Sequence, residues 1–173
     1  MRKHQTGFTI IELMIVIAIA AVLTVIALPY MRDIILTQRI KAAVTEAHLS
    51  LLLARSEAIK RNANITVSRT GATWDLGWKV KVQSDSTVLR TSDALKDVAV
   101  DCNTDGIPNS SADTCPASIT FTRTGRPTSL IEYRFYIPGN NKIFMRCVGI
   151  TLSGQPHVSI DVGDNNPANG CNE

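Results

Sequence analysis

The sequence predicts an α+β chain: one long N-terminal helix followed by an antiparallel β-sheet head. Three observations predict it. An apolar run from Phe8 to Leu28 is interrupted only by Thr9, Glu12 and Thr24. Beyond Pro29, Leu36, Ile40, Val44, Ala47, Leu51, Ala54 and Ala58 recur at steps of three and four, one apolar stripe of helical period. After Asn62-Ala63-Asn64 the pattern changes to short β-like runs separated by turn residues.

The helix is read from about Thr9 to Arg61, loosened at Pro29, where a backbone donor is missing. At about 1.5 Å per residue, its first part is roughly 30 Å long, enough to cross a bilayer core. One acid in such a segment, Glu12, costs about 2.5–3.5 kcal/mol if it stays charged and alone. Keeping it implies a cation supplied by processing or assembly. A short basic leader (Arg2, Lys3, His4) ends in Gly7, and a cut after Gly7 would expose a new amine on Phe8, one turn from Glu12. A secretory signal would instead place its cleavage site after the apolar run. The domain reading is therefore 1–7 leader, 8–30 transmembrane and assembly helix, 31–62 amphipathic half, and 63–173 β-rich head.

Strands are expected at Ile65–Arg69, Trp78–Gln83, Thr87–Arg90, Val98–Asp101, Ser118–Arg123, Leu130–Ile137, Lys142–Leu152 and His157–Val162. Thr70-Gly71, Gly125-Arg126-Pro127, Pro138-Gly139-Asn140-Asn141 and Ser153-Gly154-Gln155-Pro156 punctuate them. From Leu130 onward they read as a meander of hairpins, and the sheet is expected to wrap on the second half of the helix. Trp74 and Trp78 read as core beside that helix, Gly77 as a close approach or bulge, and Arg55 and Glu57 as bridges from helix to sheet.

Net charge is +3, but from Ala63 to Glu173 ten Lys/Arg face eleven Asp/Glu, so the head is close to neutral. Positive charge gathers on the stem at Arg32, Arg39, Lys41, Arg55, Lys60 and Arg61, where it suits acidic headgroups or a solvated helix face. All four cysteines lie in the head, an even number that argues for two disulfides in an oxidising compartment. Three pairings are open. The local one, Cys102–Cys115 and Cys147–Cys171, is expected: it staples a polar loop, worth about 3 kcal/mol in the chain-entropy model, and ties the Asn/Asp/Gly-rich tail to a strand. Zinc lacks both C-x-x-C spacing and a nearby histidine cluster.

The segment Gly7-Phe8-Thr9-Ile10-Ile11-Glu12-Leu13 resembles the processing signal of type IV prepilins and type II secretion pseudopilins. The resemblance implies that a membrane prepilin peptidase cuts after Gly7 and N-methylates Phe8. Glu12 then falls at the fifth mature position and Pro29 at the twenty-second, where this family often carries a helix-loosening proline. Leu51 to Asn62, then Ile65-Thr66-Val67, Trp74 and Gly77-Trp78-Lys79-Val80, resemble minor pilins and pseudopilins of the FimT/FimU/GspH type. The implied fold is type IV pilin-like. The implied function is a minor pilin that joins or primes a type IV pilus, with other pilins as partners through the N-terminal helix. The implied location is the bacterial inner membrane, single-pass, with the head in the periplasm and on the cell-surface pilus after assembly. A DNA receptor in natural transformation and a minor pseudopilin of type II secretion are the alternatives.

No enzyme signature appears: there is no H-E-x-x-H, P-loop, dinucleotide turn or nucleophile elbow, and His4, His48 and His157 lie far apart. No cofactor is expected. Asp101, Asn103 and Asp105, followed by Gly106, match the first half of a calcium loop, but its twelfth position is Ala112 rather than Glu. DNA binding is a known property of some FimT-type proteins through a late Gly-Arg turn, whose place here is taken by Gly154-Gln155-Pro156-His157. Arg123, Arg126, Arg134 and Arg146 are the arginines that could hold phosphates without reading bases if one face gathered them.

Overall fold

The structure, a computed structural model, describes residues 8–103, 115–161, 163 and 171; for 26–30 and 103 it describes the backbone alone. Leader residues 1–7 and Asp105 therefore lie outside the described residues. The elements, in order, are α1 (Ile10–Arg61), β1 (Ile65–Arg69), a 3-10 turn (Trp74–Leu76), β2 (Trp78–Val82), β3 (Val88–Ser92), β4 (Ala99–Asn103), β5 (Ser118–Phe121), β6 (Glu132–Tyr136), β7 (Arg146–Ile150) and β8 (Pro156–Ile160). The chain divides into two compact units, Met1–Ile35 and Leu36–Glu173.

In the first unit the helix starts at Ile10 and carries apolar residues all round. Phe8, Ile10, Ile11, Leu13 and Val25 are among those left uncovered by the chain itself. Among the described residues no helix is long and apolar enough to cross a membrane. The side chains described in this run end at Val25.

In the second unit the stripe Leu36, Ile40, Val44, Ala47, Leu51, Ala54 and Ala58 is buried, because the 3.6-residue period sets it on one face and the strands cover that face. The head holds two four-stranded antiparallel sheets where one was expected: β3-β2-β1-β5 and β4-β6-β7-β8. In the first sheet β2 alternates as a half-buried strand should, whereas β6 and β7 of the second are buried on both faces. In the first, the rows Val82–Ile65–Phe121 and Val80–Val67–Ile119 form core, while Lys81–Thr66–Thr120 lies on the other face, with Thr66 and Thr120 hydroxyls 3.0 Å apart. In the second, Tyr133, Phe135 and Val148 turn inward. The last three strands do form a meander. What the local pattern misses is the return of β5 to pair with β1 after the chain has left for β4.

Trp74 and Trp78 are core. The Trp74 indole donates to the Pro116 carbonyl at 2.9 Å, and that of Trp78 to Ser50 Oγ at 3.0 Å. Trp74 also meets Tyr133 edge-on, ring centroids 4.8 Å apart. Gly77 sits at φ 93°, and a Cβ there would lie 2.4 Å from the Ser92 carbonyl oxygen, so it is a close approach. The bulge falls elsewhere, between Val80 and Lys81.

Candidate assembly and processing site

Phe8 and Thr9 precede the helix. Thr9 caps it: its side-chain oxygen accepts a hydrogen bond from the Glu12 backbone N–H at 3.2 Å, and its carbonyl accepts from Leu13 N–H at 3.2 Å. A threonine three residues before a glutamate is a capping-box spacing, a signal of this helix start that the apolar pattern alone does not carry. The Glu12 carboxylate is exposed, and among the described residues it has no hydrogen-bond or ion-pair partner. It stands at the positive end of the helix dipole, beside an apolar surface with no cover of its own. Such an arrangement can take a cation from outside the chain. Pro29 lies within α1 without ending it.

In the second unit, side chains lock α1 to the sheets. Glu46 accepts from Arg90 Nε at 2.9 Å, Arg90 Nη2 at 2.6 Å and Ser92 Oγ at 2.5 Å. The Arg90 bond holds the Glu46 carboxyl below the usual carboxylate range, partly offset by burial and helped by Ser92. Arg39 pairs with Asp97 on the β3–β4 connection. Arg55 reaches across as expected, donating to the Ser153 carbonyl at 3.2 Å. Glu57 does not: it stays on the helix, paired with Lys60 at 3.6 Å and Arg61 at 2.5 Å. The true acidic bridge, Glu46, gave no signal beyond lying beside the apolar stripe, since its partner is 44 residues away.

The disulfides join Cys102 to Cys115 and Cys147 to Cys171, with Cα separations of 5.2 Å and 6.0 Å. The single arginine face needs correction. Arg123 and Arg126 are exposed on the β5–β6 turn, but Arg134 is 1% exposed and bonded to Glu132. Arg134 pairs in register with Cys147 and Arg146 with Phe135, so the two point to opposite faces of their sheet. Asp101 spends a carboxylate oxygen on the Cys102 N–H at 2.8 Å, and no group of three or more metal-binding side chains occurs among the described residues. The Asn103 side chain and Asp105 fall outside the description.

Residues 43–154 match the family model described as Type II transport protein GspH. The chain belongs to the GspH family. Residues 2–28 match the prokaryotic N-terminal methylation motif. This GspH-family chain is 36% identical over 106 residues to two Pseudomonas aeruginosa proteins described as "Fimbrial protein", covering 60% of this chain and 64% of theirs. The match thus spans a little under two thirds of those relatives' length. Among solved structures, the type IV minor pilin FimU of Pseudomonas aeruginosa superposes with TM-score 0.58 at 19% identity, over 70% of this chain and 89% of that one. The minor pseudopilin EpsH of the Vibrio cholerae type 2 secretion system gives 0.52 at 13% identity, over 69% and 94%. At such identities the likeness is one of fold: a long N-terminal helix followed by an antiparallel β head. The family is one of minor pilins and pseudopilins.

Proposed function

We propose that this subunit is cut by a prepilin peptidase after Gly7, N-methylated on Phe8, and incorporated in, or used to prime, a type IV pilus. Before assembly, residues 8–30 anchor it in the bacterial inner membrane with the head in the periplasm. The observation that carries the reading is the methylation-motif match over residues 2–28, coupled to an exposed Glu12 that has no partner among the described residues, on an uncovered apolar helix. A carboxylate there attracts the Phe8 amine of a neighbouring subunit, and the attraction grows as helices exclude water. Helices then stack through apolar faces while heads form the outside.

The family's description as a type II transport protein favours a second reading, a minor pseudopilin of type II secretion. DNA reception draws little support from arginines split between a turn and opposite sheet faces. Deleting the gene separates the machines: lost piliation supports the pilus, retained exoproteins with normal pili support secretion, and normal pili with lost transformation support DNA uptake. Glu12→Ala should leave membrane insertion intact and strongly reduce the subunit in sheared filaments; equal incorporation would remove the ion-pair mechanism.

A further inference from the structure

We infer that the β5–β6 and β7–β8 turns form a clasp that holds the outer strand β8 closed, so that β8 opens from its turn before the rest of the head unfolds. The two turns are twins. Thr122-Arg123-Thr124-Gly125-Arg126 and Thr151-Leu152-Ser153-Gly154-Gln155 share the pattern Thr-x-Ser/Thr-Gly-x. In each, the Thr N–H donates to the carbonyl four residues on, at 2.8 Å and 3.1 Å, and the glycine N–H donates back to the Thr carbonyl, at 2.7 Å and 2.8 Å. The hydroxyls of Thr122 and Thr124 stand 2.9 Å apart, those of Thr151 and Ser153 2.8 Å. Both glycines take the left-handed backbone that such a turn requires, φ 75° and 80°.

One turn follows β5 of the first sheet and the other joins β7 to β8 of the second, and they stack on each other. A Cβ on Gly154 would overlap the Gly125 carbonyl oxygen, and one on Gly125 would lie 2.7 Å from Ile59 Cδ1 and 3.3 Å from Arg55 Cγ. Arg55 serves both turns: its stem lies against Gly125, and its Nη2 donates to the Ser153 carbonyl at 3.2 Å. Strand β8 needs such a hold, because its own packing is thin. Among the described residues it is the outer strand of its sheet, and Val158 and Ile160, on the inward face with buried Val148, stay 43% and 40% exposed. At its far end the Asp161 N–H bonds to the Met145 carbonyl at 3.0 Å, so the turn is the end that opens. A thinly packed outer strand opens at lower cost than the core does.

The test is hydrogen exchange of the full-length chain in detergent, read by mass on peptides from 151–160 and, for comparison, from β1 and β2. Gly154→Ala sets a methyl on the Gly125 carbonyl and should speed exchange in 151–160 by about tenfold or more, with β1 and β2 at the wild-type rate. Gly139→Ala is the control: it shares a left-handed φ, 72°, but meets no atom within 4 Å, so 151–160 should exchange as in wild type. Arg55→Met keeps the stem, loses the bond to Ser153, and should speed the same segment by about fivefold. Unchanged exchange in 151–160 for either Gly154→Ala or Arg55→Met overturns the clasp. Equal acceleration of β1 and β2, or an effect of Gly139→Ala as large as that of Gly154→Ala, also overturns it. If Gly154→Ala does not fold, Arg55→Met decides by the same comparison.

Discussion

Glu46 on the helix and Arg90 on β3 are joined by two parallel hydrogen bonds, 2.9 Å and 2.6 Å long, and Ser92 adds a third to the same carboxylate. This fork ties an edge strand of the first sheet to α1, and with Arg39–Asp97 it fixes one side of the head on the helix.

Removing the fork should loosen the β3 edge without unfolding the domain. Both side chains are about a third exposed, 31% and 37%, so solvent screening trims the ion pair. Glu46→Ala is expected to cost about 1 kcal/mol, and Arg90→Ala a similar amount. The double variant should cost little more than either alone, because both remove one interaction. Denaturant titration of the four chains measures the coupling, and full additivity would mean the pair contributes nothing.

The same carboxylate gives a pH dependence of known sign. Its folded pKa lies below its ordinary value of 4.5, chiefly through the Arg90 bond. The stabilisation is therefore complete above the unfolded value and is lost as pH falls through the folded one. Between neutral pH and about pH 3, Glu46→Gln should lose less stability than wild type, as followed by thermal melting across that range. Parallel curves would assign the acid sensitivity to other carboxylates.

Ser50 offers a sharper test of the core. Its hydroxyl accepts the buried Trp78 indole N–H. Ser50→Ala leaves that donor unpaired and should cost about 1–3 kcal/mol, read from equilibrium unfolding. A neutral result would show that the indole finds another acceptor.

Reducing the disulfides should destabilise the head more than either change above. Each closes a short loop, with sequence separations of 13 and 24, and is worth about 3 kcal/mol in the chain-entropy account. Cys102→Ser with Cys115→Ser, and Cys147→Ser with Cys171→Ser, should each lower the melting temperature. An unchanged melting temperature in either double variant would contradict it.

Much of the fold is legible because it is written at short range. The burial of Leu36 through Ala58 follows from helical period alone, and each expected strand lies within a few residues of an observed one. Gly77 stands out because only a residue without Cβ fits against Ser92. The division into two sheets is not legible, since β5 pairs with β1 across more than 50 residues and nothing in either strand names its partner. The same distance hides Arg90 from Glu46. Arg134 misleads for a related reason: its neighbours Tyr133 and Phe135 mark a core strand, but which face is covered depends on segments far along the chain. Thr9 was readable, through its spacing to Glu12, and is the residue a capping search would have found.

The most direct test of the central claim is the mass of this subunit recovered from sheared filaments, wild type beside Glu12→Ala. The account predicts a wild-type chain that begins at N-methylated Phe8, with the variant cut and methylated but left in the membrane fraction. Filaments that contain the chain still beginning at Met1, or that take up the variant as readily as wild type, would contradict it.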